Sequence, residues 1–354
     1  MTRYSDIDTP AILIDLDKAE ANLEKAQAAA DRAGLRLRPH IKTHKLPYFA
    51  KRQMELGAAG ITVQKLGEAE VMADAGLSDL LLTFNVIGPA KLKRLKALHE
   101  RITIRVVADS VECITGLAAT FADPDHPLGV FIECDTGMGR CGVQSPEAAL
   151  TLARRVDGTP GLDFAGLMTY PAAGKYAAAN QWLSDAKALF AAESLSIPAI
   201  TTGGTPDIWH MQDAARIATE YRPGTYIYMD RSQVAAGAAS YADCALTVLA
   251  TVVSRPTDNR AIIDAGSKAL TSDLLGLVGY GYVVDYPDAK IVGLSEEHGT
   301  LDLSDCMSKP GIGETIRIIP NHCCPVTNLF DRVNLMRDGE LIQTLEVAAR
   351  GRVD

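Results

Sequence analysis

Eight short apolar or β-branched runs alternate with amphipathic segments between residues 35 and 224, and this alternation constrains the fold more than any other feature. The runs are LRLRPH (35–40), GITVQ (60–64), DLLLTF (79–84), ITIRVVA (102–108), LGVFIEC (128–134), LDFAGLMTY (162–170), AITTGG (199–204) and ATEYRPG (218–224). Strands that alternate with helices predict a parallel sheet, and eight of them favour closure into a (β/α)8 barrel of the TIM type. A doubly wound open sheet is the alternative, but no glycine-rich dinucleotide fingerprint follows the first strand.

Three of the other segments carry helix signals. Residues 18–33 place alanine and leucine on one face and are followed by Gly34, a stop signal. Residues 89–101 begin with a proline, and residues 145–157 begin with Ser-Pro-Glu, which combines an N-cap with an acidic first turn. The sequence therefore predicts helices over these three ranges.

After about residue 236 the pattern changes to short strands with little helix between them. The segment RDGE (337–340) is a two-residue hairpin signal. We therefore predict a barrel over residues 12–235 and an antiparallel β domain over residues 236–354 together with 1–11. The run AILIDL (11–16) exceeds the count of eight, and we expect it to pair with the β domain.

The composition argues against several kinds of partner. The chain has 354 residues, 47% of them hydrophobic, and a net charge of −9, which indicate a large core and no nucleic-acid partner. No apolar run reaches the roughly 18 residues of a membrane span, and acidic residues interrupt the N-terminal segment, unlike a secretory signal. The seven cysteines are odd in number and scattered, so we expect reduced thiols and a cytoplasmic location.

Side chains capable of chemistry follow the predicted strands, whose C-terminal ends meet at the barrel mouth where active sites lie. They are an amine, two Gly-Thr loops, an arginine and a tyrosine: Lys42, Gly204-Thr205, Gly224-Thr225, Arg140 and Tyr170. Pyridoxal 5′-phosphate needs an amine for an imine, an anion site, and polar groups around its ring. Each feature alone is ordinary loop chemistry, but together at successive strand ends they favour a pyridoxal-phosphate site.

The segment RPHIKTHK (38–45) gathers five basic or titratable side chains where the first predicted strand stops. Lys42 is the candidate nucleophile of this segment. His40 and His44 have two readings, as hydrogen-bonded structural groups or as parts of the site. The residues alone leave both open.

Several motifs together resemble one enzyme family. They are RPHIKTHK, QKLGEAEVMADAG, DTGMGRCGV, GGTP, RPGTY, LSEEHG and PNHCCP, and they extend over essentially the whole chain. They resemble the D-threonine aldolase / D-serine dehydratase family, which belongs to the alanine-racemase-like, fold type III pyridoxal-phosphate enzymes. The combination is specific to this family but less specific to one activity within it.

The resemblance implies a role for each matching residue. Lys42 would be catalytic and would join the cofactor covalently through its amine. Arg140 would contact the phenolic oxygen, Tyr170 would lie beside the cofactor, and Arg222 would face the pyridine nitrogen. Four residues of two loops would hold the phosphate: Gly204, Thr205, Gly224 and Thr225.

The resemblance also implies a divalent metal bound by His322 and Cys324, with His322 counted among the catalytic residues. The two residues stand two apart, so on an extended segment both side chains would point to one side, with Cys323 turned toward the core. A thiolate–imidazole pair favours zinc, whereas His-x-Asp variants are associated with manganese or magnesium. The alternative is a buried cysteine and a structural histidine in a β domain.

The activity implied is cleavage of D-3-hydroxy amino acids such as D-threonine to glycine and an aldehyde. A dehydratase acting on D-serine or 3-hydroxyaspartate is the main alternative, and the His-x-Cys pair favours it somewhat. An amino acid racemase and a pyridoxal-phosphate carrier protein fit less well, since neither needs a metal site in a second domain. The family also implies a homodimer with a small-molecule D-amino acid as substrate. Glu296, Glu297 and His298 either reach the site or form a solvated turn.

Overall fold

The computed structural model describes residues 4–354, which form two compact units. The first unit combines the residues up to Glu24 with Thr43–Leu46 and Thr225–Gly351, and the second combines Lys25–Lys42, Pro47–Gly224 and Arg352–Asp354. The side chain of Asn22 donates to the carbonyls of Ile227 and Asp243, which joins the start of the chain to the segment after Gly224. The division predicted between residues 235 and 236 stays a prediction, and residues 1–3 of the predicted β domain lie outside the described residues.

The second unit contains eight parallel strands. Before these strands the chain forms β1 (Ala11–Asp15), which belongs to the first unit, and then α1 (Leu16–Ala33). The parallel strands then follow, each within its predicted range: β2 (Arg36–Leu37), β3 (Ile61–Val63), β4 (Asp79–Leu82), β5 (Thr103–Ala108), β6 (Leu128–Cys134), β7 (Leu162–Thr169), β8 (Ile200–Thr202) and β9 (Glu220–Tyr221). Apolar side chains from these strands, among them Val107, Phe131 and Met168, form a buried cluster.

The parallel strands close into a barrel. Their order is β2-β9-β8-β7-β6-β5-β4-β3, and a parallel bridge between His40 and Thr62 joins the two ends of this order. The backbone nitrogen of Thr62 donates to the carbonyl of Pro39 at 2.7 Å across this join. The predicted (β/α)8 barrel is therefore confirmed.

Helices separate the barrel strands: α2 (Pro47–Glu55), α3 (Leu66–Asp74), α4 (Pro89–His99), α5 (Val111–Thr120), α6 (Pro146–Asp157), α7 (Tyr176–Ala192) and α8 (Met211–Ala214). The three predicted helices correspond to α1, α4 and α6. At the start of α6 the hydroxyl of Ser145 accepts a hydrogen bond from the backbone of Ala148, as an N-cap does. No helix within residues 4–354 has the length and apolar character to cross a membrane.

The first unit is built on a mostly antiparallel sheet. After α9 (Arg231–Ala235), its elements are β10 (Leu246–Thr257), β11 (Arg260–Ile263), α10 (Ser267–Leu270), β12 (Gly281–Val283), β13 (Lys290–Leu294), β14 (Gly299–Asp302), β15 (Thr315–Pro320), α11 (Cys323–Leu329), β16 (Arg332–Arg337) and β17 (Glu340–Glu346). As predicted, β1 joins this sheet, pairing with β10. The predicted antiparallel β domain is confirmed, and the sheet contains one parallel pairing, that of β1 with β16. The predicted hairpin is confirmed, since Arg337 pairs with Glu340 across a turn with positive φ at Asp338 and Gly339.

Candidate active site

The predicted cofactor residues of the barrel unit all follow the C-terminal ends of parallel strands. Lys42 comes after β2, Arg140 after β6 and Tyr170 directly after β7. The two loops after β8 and β9 carry the rest: Gly204, Thr205, Arg222 and Gly224. Because the strands are parallel, these residues share one end of the barrel.

Lys42 lies on a single 3-10 turn, Ile41–Thr43. Its backbone nitrogen donates to Nδ1 of His40 at 3.3 Å. The backbone nitrogen of His40 in turn donates to the carbonyl of Pro223 at 2.8 Å. The lysine turn is therefore tied to the loop that carries Arg222 and Gly224.

Arg140 and Tyr170 come together at this end of the barrel. The guanidinium carbon of Arg140 lies 5.2 Å from the centroid of the Tyr170 ring, a cation–π contact. The Tyr170 ring lies against Gly204, where an added Cβ would be 2.9 Å from Cε2 of the tyrosine. Only glycine allows the ring to approach this loop so closely.

Two tyrosines, Tyr221 and Tyr176, support the loop after β8. Gly203 has a φ of 99°, and a Cβ there would overlap the ring of Tyr221. The Tyr221 hydroxyl donates to the carbonyl of Gly204 at 2.8 Å and lies 2.8 Å from the hydroxyl of Tyr176. This contact fixes the peptide plane after Gly204.

Arg222 is a buried cation. Its side chain donates to the hydroxyl of Thr201 at 2.8 Å and to the carbonyl of Thr169 at 2.6 Å. Burial lowers the pKa of Arg222 to about 10, while Glu220 and Glu133 act in the opposite direction. The guanidinium therefore stays protonated at neutral pH.

Glu133 supplies a buried negative charge near both arginines. It is the last residue but one of β6, and its carboxylate lies 3.9 Å from the guanidinium of Arg140. Burial raises the pKa of Glu133, and the charges of Arg140 and Arg222 lower it in part. Sequence reasoning missed this residue, because it lies inside an apolar run.

The loops of the barrel unit suit an anion. Within residues 4–354, the backbone N–H groups of Gly204 and Gly224 donate to no protein acceptor, and Gly224 is buried. Buried N–H groups require a partner, and a phosphate provides oxygen acceptors for them. The residues present therefore fit the phosphate of pyridoxal phosphate.

The first unit contains the other three predicted site residues, Thr225, His322 and Cys324. The Cys324 sulfur lies 3.7 Å from the Thr225 hydroxyl and forms a hydrogen bond with His322. The pKa of Cys324 lies well below its ordinary value. The hydrogen bond from Cys323 is the largest cause and the contacts with His322 add to it, while burial acts in the opposite direction. Burial lowers the pKa of His322, but the thiolate and Asp273 outweigh it and raise this pKa to about 9. Both shifts favour a thiolate beside an imidazolium, and a metal ion bound here would replace the imidazolium proton.

The prediction that His322 and Cys324 lie on an extended segment is wrong. Helix α11 begins at Cys323, with His322 at its N-cap position. A carboxylate oxygen of Asp230 accepts a hydrogen bond from the backbone of Cys323 at 2.9 Å, which satisfies the helix N-terminus. Cys323 itself is fully buried, as predicted.

Sequence reasoning also missed the groups that support the pair. Nδ1 of His322 lies 2.9 Å from Oδ2 of Asp273, so the carboxylate occupies this ring nitrogen and Nε2 would be the one to bind a metal ion. The Thr43 hydroxyl lies 3.1 Å from the Cys324 sulfur. Asp273 is 49 positions from His322, so no local motif could reveal it.

Glu296, Glu297 and His298 form a solvated turn between β13 and β14. All three are exposed, and Lys268 forms ion pairs with the two glutamates at 2.9 and 2.6 Å. Of the two readings of LSEEHG, the structure favours the solvated turn.

Comparison with known families agrees with this arrangement. Residues 14–232 match the model of the alanine racemase N-terminal domain, and residues 245–336 match the model of a putative serine dehydratase domain. The fold and the lysine-bearing mouth therefore define an alanine-racemase-like enzyme, a class that implies pyridoxal phosphate. Within this class, the chain belongs to the D-threonine aldolase / D-serine dehydratase family.

Relatives in this family are similar over nearly the full length. A D-threonine aldolase from Arthrobacter sp. is 33% identical over 98% of this chain and 93% of the relative. The crystal structure of D-threonine aldolase from Filomicrobium marinum has a TM-score of 0.92, with 32% identity over 99% of this chain and 98% of that chain. A D-threo-3-hydroxyaspartate dehydratase from Delftia sp. (strain HT23) is 33% identical over 96% of this chain and 97% of the relative. Among the solved structures of such a dehydratase is a cysteine-to-alanine mutant in the metal-free form.

Proposed function

We propose that this chain is a pyridoxal-phosphate- and divalent-metal-dependent aldolase that cleaves D-3-hydroxy amino acids of the D-threonine type into glycine and an aldehyde. The observation that carries the metal-dependent part of the proposal is the His322–Cys324 pair, with the lowered pKa of Cys324 and the supporting Asp273. A racemase or a cofactor carrier has no need of such a pair. Similarity to D-threonine aldolases over nearly the whole chain supports the same activity.

The barrel residues would hold the cofactor. Lys42 would bond to it, and Arg140 with Tyr170 would flank its ring. Arg222 would face the ring nitrogen, where a protonated guanidinium donates hydrogen bonds but does not favour a second positive charge. The phosphate would lie on the loops after β8 and β9, at Gly204, Thr205, Gly224 and Thr225. When bound, the cofactor withdraws electrons from the Cα atom of an amino acid, which weakens the bonds to that carbon.

His322 and Cys324 would hold the metal ion. An imidazole and a thiolate suit zinc or another borderline divalent ion better than magnesium. Asp273 would orient the His322 ring through Nδ1, as carboxylates do behind metal-bound histidines. A divalent ion held by these two side chains would have room for the substrate and would lower the pKa of its hydroxyl.

A D-3-hydroxy amino acid dehydratase is the second candidate. The His-x-Cys donor pair and the similarity to the Delftia enzyme favour it. In that reaction Lys42 would remove the Cα proton, and the hydroxyl on Cβ of the substrate would leave. In the aldolase reaction the Cα–Cβ bond breaks instead, after the hydroxyl has lost its proton.

Product analysis with D-threonine separates the two. The purified enzyme, loaded with pyridoxal phosphate and zinc or manganese, should release acetaldehyde and glycine in equal amounts. Release of 2-oxobutyrate and ammonia would assign the dehydratase, and L-allothreonine without cleavage would assign a racemase. A Lys42→Ala control should abolish turnover, and no turnover of D-threonine, D-serine or D-3-hydroxyaspartate by the unaltered enzyme would refute the proposal.

We further propose that the chain acts as a cytoplasmic homodimer on free D-amino acids. The family resemblance supports the dimer, and the scattered reduced cysteines support the compartment. Light scattering during size-exclusion chromatography should give a mass of twice 37.8 kDa. A mass of one chain at micromolar concentration would contradict the dimer.

A further inference from the structure

The imidazole of His40 accepts a hydrogen bond from the turn that carries Lys42. Its Nδ1 lies 3.3 Å from the Lys42 backbone nitrogen, and the residue is only 5% exposed. A backbone N–H can only donate, so Nδ1 must be the unprotonated nitrogen and Nε2 carries the proton. The lysine turn therefore depends on one tautomer of a buried histidine.

Gln64, which follows β3, selects that tautomer. Its Nε2 donates to the carbonyl of Thr83 at 2.8 Å, which fixes the orientation of the side-chain amide. Its Oε1 then faces Nε2 of His40 at 3.1 Å. This oxygen can only accept, so the His40 Nε2–H must donate to it. An acceptor on one side of the ring and a donor on the other hold the imidazole in a single orientation and protonation form.

The Thr83 hydroxyl extends the same arrangement. It donates to the carbonyl of Val63 at 3.3 Å, which leaves its oxygen free to accept. That oxygen lies 3.5 Å from Nε2 of His40, on the side where the proton sits. Residues that follow β3 and β4 thus determine the form of a ring that supports the turn after β2.

We infer that His40 is a positioning residue for Lys42, with Gln64 setting its tautomer. The inference rests on the proposed function, in which Lys42 bonds to the cofactor. A single 3-10 turn has little stability of its own, so the direction of the lysine depends on the hydrogen bond that His40 supplies. Loss of this bond should misplace the amine and leave the phosphate loops and Arg222 as they are.

The test compares two ligands that differ in their use of the lysine. Pyridoxal phosphate can bond to Lys42, whereas pyridoxamine phosphate makes the same other contacts but has no aldehyde. His40→Leu removes the acceptor, and His40→Asn restores one, because an asparagine oxygen accepts the N–H two residues later. Gln64→Leu retains His40 but frees its tautomer. Dissociation constants for both ligands are measured on each apo-protein by fluorescence.

We expect His40→Leu to weaken pyridoxal-phosphate binding about 10-fold and Gln64→Leu about 3-fold, in line with the loss of one hydrogen bond. The affinity of His40→Asn, which restores an acceptor, should stay within about 2-fold of that of the unaltered chain. Pyridoxamine-phosphate binding should change less than about 2-fold in all three, since none of its contacts is removed. The rate at which borohydride fixes pyridoxal phosphate to the protein, by reducing the imine to a secondary amine, should change among the variants as pyridoxal-phosphate binding does.

Equal losses for both ligands in His40→Leu and Gln64→Leu, or no rescue by asparagine, would overturn the inference, because His40 would then support only the fold. If His40→Leu does not fold, Gln64→Leu and His40→Asn carry the comparison between ligands. Lys42→Ala keeps the inference separate from the proposed function. If borohydride still fixes pyridoxal phosphate to that variant, the assignment of the lysine fails, whatever the His40 variants show.

Discussion

The sulfur of Cys324 lies 3.1 Å from the hydroxyl oxygen of Thr43, the residue that directly follows Lys42 in the chain. The hydroxyl of Thr225, which directly follows Gly224, lies 3.7 Å from the same sulfur. Both threonines belong to the same compact unit as Cys324. The residue that follows the proposed cofactor lysine in the sequence therefore contacts the proposed metal ligand.

Replacement of Cys324 by alanine should remove the metal and spare the cofactor. We expect bound zinc to fall below about a tenth of one equivalent and kcat to fall at least about 1,000-fold, because a single imidazole is a weak site. Elemental analysis and the absorbance of bound pyridoxal phosphate measure the two effects. Cys306→Ser, a buried cysteine of the same unit, is the control. Full metal content in Cys324→Ala would contradict the assignment.

Asp273→Asn should weaken metal binding without abolishing it. The carboxylate accepts from Nδ1 of His322 at 2.9 Å, and an amide oxygen replaces it as a weaker acceptor. We expect the zinc dissociation constant to rise roughly 10- to 100-fold, as for other carboxylates behind histidine ligands. Competition with a chromophoric chelator gives the constant. Asp285→Asn, which loses the ion pair with Arg317 in the same unit, should leave it unchanged; equal effects of the two substitutions would count against the proposed role.

Tyr221→Phe should weaken recognition of the cofactor phosphate. The lost hydroxyl holds the carbonyl of Gly204, so the loop amides are directed less well. We expect the affinity for pyridoxal phosphate to fall about 5- to 10-fold and the affinity for pyridoxal, which lacks the phosphate, to change little. Fluorescence titration with both ligands measures this ratio.

Tyr176→Phe is the matched control for Tyr221→Phe. It removes the neighbouring hydroxyl but keeps the bond from Tyr221 to Gly204. Its ratio of affinities should stay within about 2-fold of the unaltered chain. A proportional loss of both ligands in Tyr221→Phe would mean that the tyrosine supports the barrel alone.

At pH 7.5, Glu133→Gln should raise the thermal stability of the fold and lower the enzymatic activity. Burial raises the folded-state pKa of Glu133 above that of the unfolded chain, so the folded form binds more protons between these two values. Ionisation of Glu133 therefore lowers stability as the pH rises through this window. We expect Glu133→Gln to melt at a higher temperature than the unaltered chain at pH 7.5, with a difference that shrinks below about pH 4.

The same substitution should lower activity, because the charge near Arg140 is lost. Calorimetry across pH and kcat measurements check the two effects, with Glu112→Gln on the exposed side of α5 as the control. A lower melting temperature for Glu133→Gln at pH 7.5 would show that its ion pairing outweighs the cost of burial.

The eight barrel strands are predictable because each is a local signal, a run of β-branched or apolar residues bounded by polar ones. Their ends then place Lys42, Arg140, Tyr170, Gly204 and Arg222 without knowledge of any tertiary contact. The start of α11 is not predictable in this way. Its first turn contains Pro325, which a first turn tolerates, and its N-terminus is satisfied by Asp230, 93 positions earlier.

The residues that tune the site escape prediction for the same reason. Asp273 acts on His322, Tyr221 on Gly204, and Glu133 on Arg140, and each pair is brought together only by the folded chain. Glu133 and Tyr221 lie in or beside strands, where their polar groups read as exceptions in a core pattern. Burial, which converts these exceptions into strong interactions, is a property of the assembled barrel.

His40 has two structural roles. Its backbone makes the bridge to Thr62 that closes the barrel, and its ring accepts a hydrogen bond from the turn that contains Lys42. A library that randomises this codon would mix damaged folding with altered catalysis and obscure both. Laboratory evolution toward new aldehydes should therefore leave it untouched and vary exposed loop residues at the rim, such as Met138.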